Sequence, residues 1–181
     1  MYQEEEIKIN GFLLLIPVFL IRYMLLAKLN KSAMKRASHY PPMIGVEKVA
    51  FLVYQLSTVA IFVAVLFLEV QTNQALLFYT GIAVYIIGLI LLSLATINFS
   101  TPSDNGVNQK GLYRLSRNPM YVAYFVCFMG ISSLVQSVIF LGVVFLFQIS
   151  AHWIILSEER WCIEQFGAKY LLYMNKIRRY I

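Results

Sequence analysis

Apolar residues along this chain run in long unbroken blocks rather than alternating with polar ones, the pattern of helices that are apolar on every side. Residues 11–29 form the first block, interrupted by Pro17 and Arg22; residues 49–70 form the second and residues 75–99 the third. After a polar stretch come residues 120–135 and 138–156, separated only by Gln136 and Ser137. A hydrocarbon core about 30 Å thick takes roughly 20 apolar residues of helix, so each block reads as a membrane span. The last two are short and predict a tight helical hairpin whose tip lies near the far face, with full crossing left open. The expected fold is all-α: a polytopic membrane protein of about five transmembrane helices, closed by a C-terminal amphipathic cytoplasmic helix.

Basic residues give this bundle a direction. Lys28, Lys31, Lys35, Arg36 and Lys48 lie between blocks one and two, Lys110, Arg114 and Arg117 between three and four, and Arg160, Lys169, Lys176, Arg178 and Arg179 after block five. The connections at residues 69–74 and 136–137 carry no Lys or Arg. Positive loops stay on the cytoplasmic side, which predicts an amino terminus outside and a carboxyl terminus in the cytoplasm, in the cell membrane if the chain is prokaryotic. The opening Met-Tyr-Gln-Glu-Glu-Glu lacks the basic region of a cleaved signal peptide, so the first block is expected to remain in the mature protein.

Composition narrows the classes further. Of 181 residues, 60% are hydrophobic and 13% charged, with a mean hydropathy of +0.69. Soluble domains carry about 45–50% apolar and about 25% charged residues, so both numbers are displaced toward the membrane class and away from a soluble globule, and disorder is excluded. The net charge of +6 reads as a topology signal with some attraction to anionic lipid. No nucleic-acid-reading motif accompanies it. Cys127 and Cys162 make neither a disulfide framework nor a metal cluster, and His39 and His152 do not stand at metal-ligand spacing, so no metal is expected. His152 reads as a hydrogen-bonded bundle residue, Arg22 as a snorkelling side chain and Pro17 as a kink. One membrane domain is expected over residues 1–181, with three plain spans in residues 1–99 and the chemistry in residues 100–181.

Two polar segments on the basic side carry that chemistry. The first is Gly111-Leu-Tyr-Arg-Leu-Ser-Arg-Asn-Pro-Met-Tyr121, behind a turn-rich linker over residues 101–106. Asn118 suits a helix N-cap and Pro119 the first helical position. Tyr113, Arg117 and Tyr121 are spaced by four. A cation, two aromatics and a helix amino terminus at the mouth of a bundle suit an anionic or zwitterionic small molecule. The second segment opens with Ser157, a candidate cap, and the acidic pair Glu158 and Glu159. Glu159, Ile163, Phe166, Tyr170, Tyr173 and Ile177 share one helical stripe, with Gly167 a candidate break. A carboxylate at the membrane boundary facing a bundle interior is expensive unless it binds something cationic.

Together these segments resemble the isoprenylcysteine carboxyl methyltransferase and phospholipid methyltransferase family of integral membrane enzymes. Its first motif, Gly-x-Tyr-x-x-x-Arg-His-Pro-x-Tyr, is met by Gly111, Tyr113, Arg117, Pro119 and Tyr121. Its second, Glu-Glu-x-x-Leu-x-x-x-Phe-Gly-x-x-Tyr-x-x-Tyr, is met by Glu158, Glu159, Phe166, Gly167, Tyr170 and Tyr173 at the same spacing. The likeness covers roughly residues 97–180, and the first three spans match only in being hydrophobic. Asn118 stands where the family usually has His, Cys162 where Leu is common, and Arg178 where Pro often precedes the final Arg.

The resemblance implies S-adenosylmethionine as methyl donor and a lipophilic or lipidated acceptor from the membrane. Arg117 and the backbone around Asn118 and Pro119 are expected to hold the donor's carboxylate, within a cofactor site that includes Gly111, Leu112 and Tyr170. Tyr113, Tyr121 or Phe166 would pack on its adenine, and Glu159 or Glu158 would balance its ammonium or sulfonium. An isoprenylcysteine-like carboxylate acceptor, oriented by Arg178 or Arg179, is the leading expectation; an amine would need a base, for which the glutamate pair is the candidate. The alternatives are phospholipid amine N-methylation, NADPH-dependent reduction as in the longer sterol reductases that resemble this half, and a non-catalytic membrane protein. A soluble Rossmann methyltransferase or an NTPase has no support, since neither glycine-rich fingerprint occurs.

Overall fold

A computed structural model describes residues 9–101 and 106–181. The acidic opening, residues 1–6, and most of the linker, residues 102–105, lie outside the described residues. Most of the described chain is helical. Span α1, Gly11–Leu29, is composite: a 3-10 turn over Gly11–Leu14, α-helix over Leu15–Phe19, a π turn over Leu20–Leu25 and α-helix again over Leu26–Leu29. Then follow α2 (Lys31–Ala37), α3 (Val46–Phe67), α4 (Ala75–Ser100), a 3-10 turn (Gly111–Arg114), α5 (Pro119–Val135), α6 (Val138–Phe166) and α7 (Ala168–Lys176).

All five apolar blocks are helices, but the fifth does not stop where its apolar run does. α6 continues past residue 156 to Phe166, so the fifth span and the start of the expected surface helix are one rod. Ser157 therefore caps nothing. It is buried inside α6, and its hydroxyl donates to the Ile154 carbonyl at 2.8 Å. The break falls at Gly167, whose φ of +56° ends α6 and begins α7. At 1.5 Å per residue α5 is about 25 Å long and α6 about 43 Å, so α6 overshoots its hairpin partner. Glu158 follows Val138 by about 30 Å of helix, which places it at the edge of a hydrocarbon core.

Two close pairings build the bundle. α4 meets α5 along small residues: a Cβ added to Gly88 would stand 2.6 Å from the Cys127 amide nitrogen, and one added to Gly130 would stand 2.5 Å from that of Tyr85. Membrane helices associate through such backbone approach, because lipid offers no hydrophobic drive between them. α3 meets α6 through rings, with Tyr54 stacked on Phe147 at 5.0 Å, and Phe128 of α5 stands edge-on to the same Phe147 at 5.4 Å. Leu56, Phe67, Leu76 and Ile139 are exposed on the outer faces, as a lipid-facing surface requires.

The two ends of the bundle differ. At one, the Gly11 amide donates to the Leu68 carbonyl, the Val70 amide to Ile9 and the Gln71 amide to Leu134, each at 2.8 Å. At the other, Asn30 caps α2 through the Ser32 and Ala33 amides and donates to the Ser100 carbonyl at 2.8 Å. Arg160 of α6 grips Glu47 in the first turn of α3 at 2.6 and 2.7 Å. The basic loops read from the sequence gather at this second end. Overpacking a tight helix contact costs about 1–3 kcal/mol. Gly88→Ala and Gly130→Ala should therefore each lower the thermal midpoint in detergent, whereas Gly142→Ala, with open space around it, should not.

Candidate active site

At the basic end lies a cavity of about 580 Å³, walled by α1, the segment after α2, α5, the projecting end of α6 and the chain leading into the 3-10 turn. Small-molecule sites occupy about 300–1,000 Å³. Both halves of the chain build it: Arg22, Tyr40 and Tyr54 come from the first, Asn108, Tyr121 and Glu158 from the second. The cavity thus extends beyond residues 100–181, where the chemistry is expected.

The acidic pair divides its work by helical phase, since consecutive residues point about 100° apart. Glu158 faces the cavity, where its Oε1 accepts from the Tyr121 hydroxyl at 2.8 Å. Glu159 faces away and is 3% exposed. Its Oε1 receives Arg117 through Nε and Nη2, both at 2.9 Å, and its Oε2 receives Arg179 through Nε at 3.1 Å and Nη2 at 2.9 Å. Arg117 Nη1 donates to the Met174 and Ile177 carbonyls at 3.0 and 3.2 Å. The hydrogen bonds to Glu159 push the Arg179 guanidinium above its ordinary pKa.

This cluster anchors the tail. The Arg117 amide donates to the Arg178 carbonyl at 3.0 Å, while the Ser116 hydroxyl and Asn118 Nδ2 both donate to the Arg179 carbonyl at 3.2 Å. Farther along, the Tyr180 hydroxyl lies 2.7 Å from His152 Nδ1, which makes His152 a bundle residue with a hydrogen-bond partner.

Several of the expected site residues do not line this cavity. Glu159 and Arg179 are not on the cavity wall; they hold each other, and Arg178 is exposed. Arg117 does reach the wall, with most of its donors engaged by Glu159 and the Met174 and Ile177 carbonyls. Asn118 does not cap α5: its side chain turns to the tail and, at 3.4 Å, to Glu159. Pro119 does open α5, buried and off the wall. Gly111 and Leu112 are also off the wall. Gly111, with φ +54°, lets the chain turn tightly over Asn98, whose Oδ1 accepts from the Leu112 amide at 2.9 Å.

Tyr113, Tyr121, Phe166 and Tyr170 do line the cavity together with Glu158. Burial pushes the Tyr113, Tyr170 and Tyr173 phenols well above their ordinary pKa, so these rings stay neutral. Tyr173 donates to the Tyr113 carbonyl at 2.7 Å. The stripe of the second segment survives the Gly167 bend, since Ile163, Phe166, Tyr170, Tyr173 and Ile177 cluster around Val107.

Asn108 and Trp161, also on the wall, were not singled out in the sequence. Asn108 carries a buried Oδ1 with no hydrogen-bond partner, a position that asks for a donor from a ligand. Trp161 stands edge-on to Phe166 at 6.2 Å. Arg22 does not snorkel along lipid: its side chain lines the cavity, donating to the Ala37 carbonyl at 2.6 Å and toward Met120 Sδ at 3.4 Å. Its sequence signal was present, because a charge within a span marks function by default.

With this geometry in view, the chain can be set beside known proteins. Fold and site define a multi-pass membrane protein with a cavity at one end whose mostly apolar wall carries a few charged and polar groups. The family model for phospholipid methyltransferases matches residues 76–169, just over half of the chain. The chain belongs to the phospholipid methyltransferase family and is a membrane methyltransferase. Searches of curated proteins and of solved structures return no match.

Removing one partner from a buried ion pair costs about 3–5 kcal/mol. Glu159→Ala should thus lower the thermal midpoint and release residues 177–181 to carboxypeptidase digestion. Glu158→Gln, outside the cluster, should leave the tail as resistant as in the unaltered protein.

Proposed function

We propose that the chain transfers a methyl group from S-adenosylmethionine to the carboxylate of a lipophilic acceptor held at the membrane boundary. One observation carries this reading: a single cavity combines an acid with spare acceptor capacity, an orphaned amide oxygen and neutral rings. Glu158 has an oxygen left for the donor's ammonium or sulfonium. Asn108 Oδ1 would accept from an adenine amine or ribose hydroxyl. Trp161, Phe166 and Tyr113 offer faces for the adenine, and exposed Lys35 and Arg36 at the rim suit the donor's carboxylate.

When bound, the donor supplies an electrophilic methyl carbon on a sulfonium, which an acceptor oxygen takes as the C–S bond breaks and a neutral thioether remains. The protein's task is positioning and exclusion of water. A carboxylate acceptor is already ionised and needs no base. Arg22, Tyr54 and Tyr124 contribute wall from inside spans α1, α3 and α5, the depth at which the head group of a lipophilic acceptor rests. The basic end is taken as the cytoplasmic side, with the amino terminus outside.

The family match favours a second reading, a phospholipid amine acceptor, for which Glu158 supplies the base. Calorimetric titration of the purified protein with S-adenosylmethionine should give a saturable heat. Glu158→Gln should weaken binding by about tenfold to a hundredfold, the worth of a hydrogen bond to a charged group. No heat at millimolar ligand would exclude the donor. Labelled-methionine feeding of cells with and without the gene should show the label in a lipophilic methyl ester; label in a phospholipid amine instead would move the assignment to N-methylation.

A further inference from the structure

We propose that Arg22 is the anion-holding residue of the acceptor subsite, its guanidinium receiving an oxyanion of the acceptor's head group. The inference rests on the methyltransferase reading and deepens it by naming the charge that the acceptor carries.

Four observations lead there. Arg22 lies within the π turn Leu20–Leu25, where α1 abandons α-helical geometry in mid-span, a few residues after Pro17. Pro17 lacks an amide donor, and the wider turn changes which side chain faces inward. The side chain so delivered lines the cavity beside Tyr54, Tyr121 and Tyr124.

Both of its hydrogen-bond partners are neutral, the Ala37 carbonyl and the Met120 thioether. They fix the guanidinium in place without compensating its charge. Among the described residues no carboxylate lies within ion-pair distance of Arg22. Glu158 lines the same cavity and pairs with the Tyr121 hydroxyl instead. Three other arginines of this end contrast with it: Arg117 and Arg179 share Glu159, and Arg160 holds Glu47. A cation inside a span is expensive unless it is paired, and a guanidinium with donors to spare presents the fork that carboxylate and phosphate oxygens fit.

Position separates this subsite from the donor's. Arg22 is about two turns inside the basic end of α1, whereas Lys35 and Arg36 stand exposed at the rim. A soluble donor meets the rim first. The anionic head of a membrane-dissolved acceptor meets Arg22.

The test measures the two ligands separately on full-length protein in neutral detergent. Oleate, methyl oleate and dioleoylphosphatidylethanolamine serve as acceptor probes, scored by thermal stabilisation without any donor. S-adenosylmethionine binding is followed by calorimetry. The unaltered protein should bind oleate in preference to its uncharged ester. Arg22→Gln should lose about tenfold to a hundredfold in oleate affinity and most of that preference, with donor affinity within about twofold. Arg22→Lys should recover part of the loss and, being the gentler change, carries the test if Arg22→Gln does not fold. Binding of the phospholipid but not oleate, lost in the same variants, identifies the oxyanion as a lipid phosphate and supports the assignment. Binding of neither probe, unchanged probe affinity in both variants, or a parallel loss of donor affinity would overturn it. Absence of donor binding with acceptor binding intact would count against the methyl donor and leave the Arg22 measurement standing.

Discussion

The Glu159 carboxylate, buried between two guanidiniums, is the contact on which the active end depends. A lone carboxylate at 3% exposure would be costly to bury, and Arg117 and Arg179 offset that cost. Two cations on one anion leave an excess of positive charge. Part of it is met by the carbonyls of Met174 and Ile177 at the carboxyl end of α7, where the helix dipole favours a cation. One side chain, Arg117, thus joins the end of α6, the end of α7 and the entry to α5.

That junction also sets the phase of the cavity. With Glu159 turned into the cluster, helical geometry leaves Glu158 about 100° away, toward α5 and the Tyr121 hydroxyl. With the tail pinned to residues 116–118, α7 lies back so that Tyr173 reaches the Tyr113 carbonyl and Tyr170 reaches the wall. The small-residue contact of α4 with α5 fixes the other side, since α5 carries Met120, Tyr121 and Tyr124. The ion cluster and the glycine contact between them leave little freedom in where the acid and rings stand.

The spans and their common basic end were legible because long apolar blocks and clustered Lys and Arg are local signals that tertiary structure does not override. The importance of the acidic pair was legible too. Its division was not, because which glutamate faces inward depends on α6 continuing unbroken through Ser157. The serine that reads as a cap in sequence bonds back to Ile154 inside the helix. Arg22 was misread for a related reason: its direction follows from a π turn that no apolar pattern announces. The aromatic stripe survived its own break, since Gly167 turns the chain without carrying Tyr170 and Tyr173 away from Phe166.

Asn118, which replaces the histidine of the pattern the chain resembles, becomes intelligible in this frame. Its Nδ2 donates to the Arg179 carbonyl at 3.2 Å and toward Glu159 at 3.4 Å. Both are donor roles, one to a backbone carbonyl and one to a carboxylate already paired twice, and neither calls for a group that titrates. A protonated imidazole there would bring a third cation to one carboxylate, which like-charge repulsion opposes. A neutral amide meets the requirement at every pH. The only acid on the cavity wall among the described residues is Glu158, the group to which an acceptor with a proton to lose would turn. On the proposed carboxylate acceptor no proton moves, so the exchange of histidine for asparagine takes nothing from the transfer and keeps the tail in place.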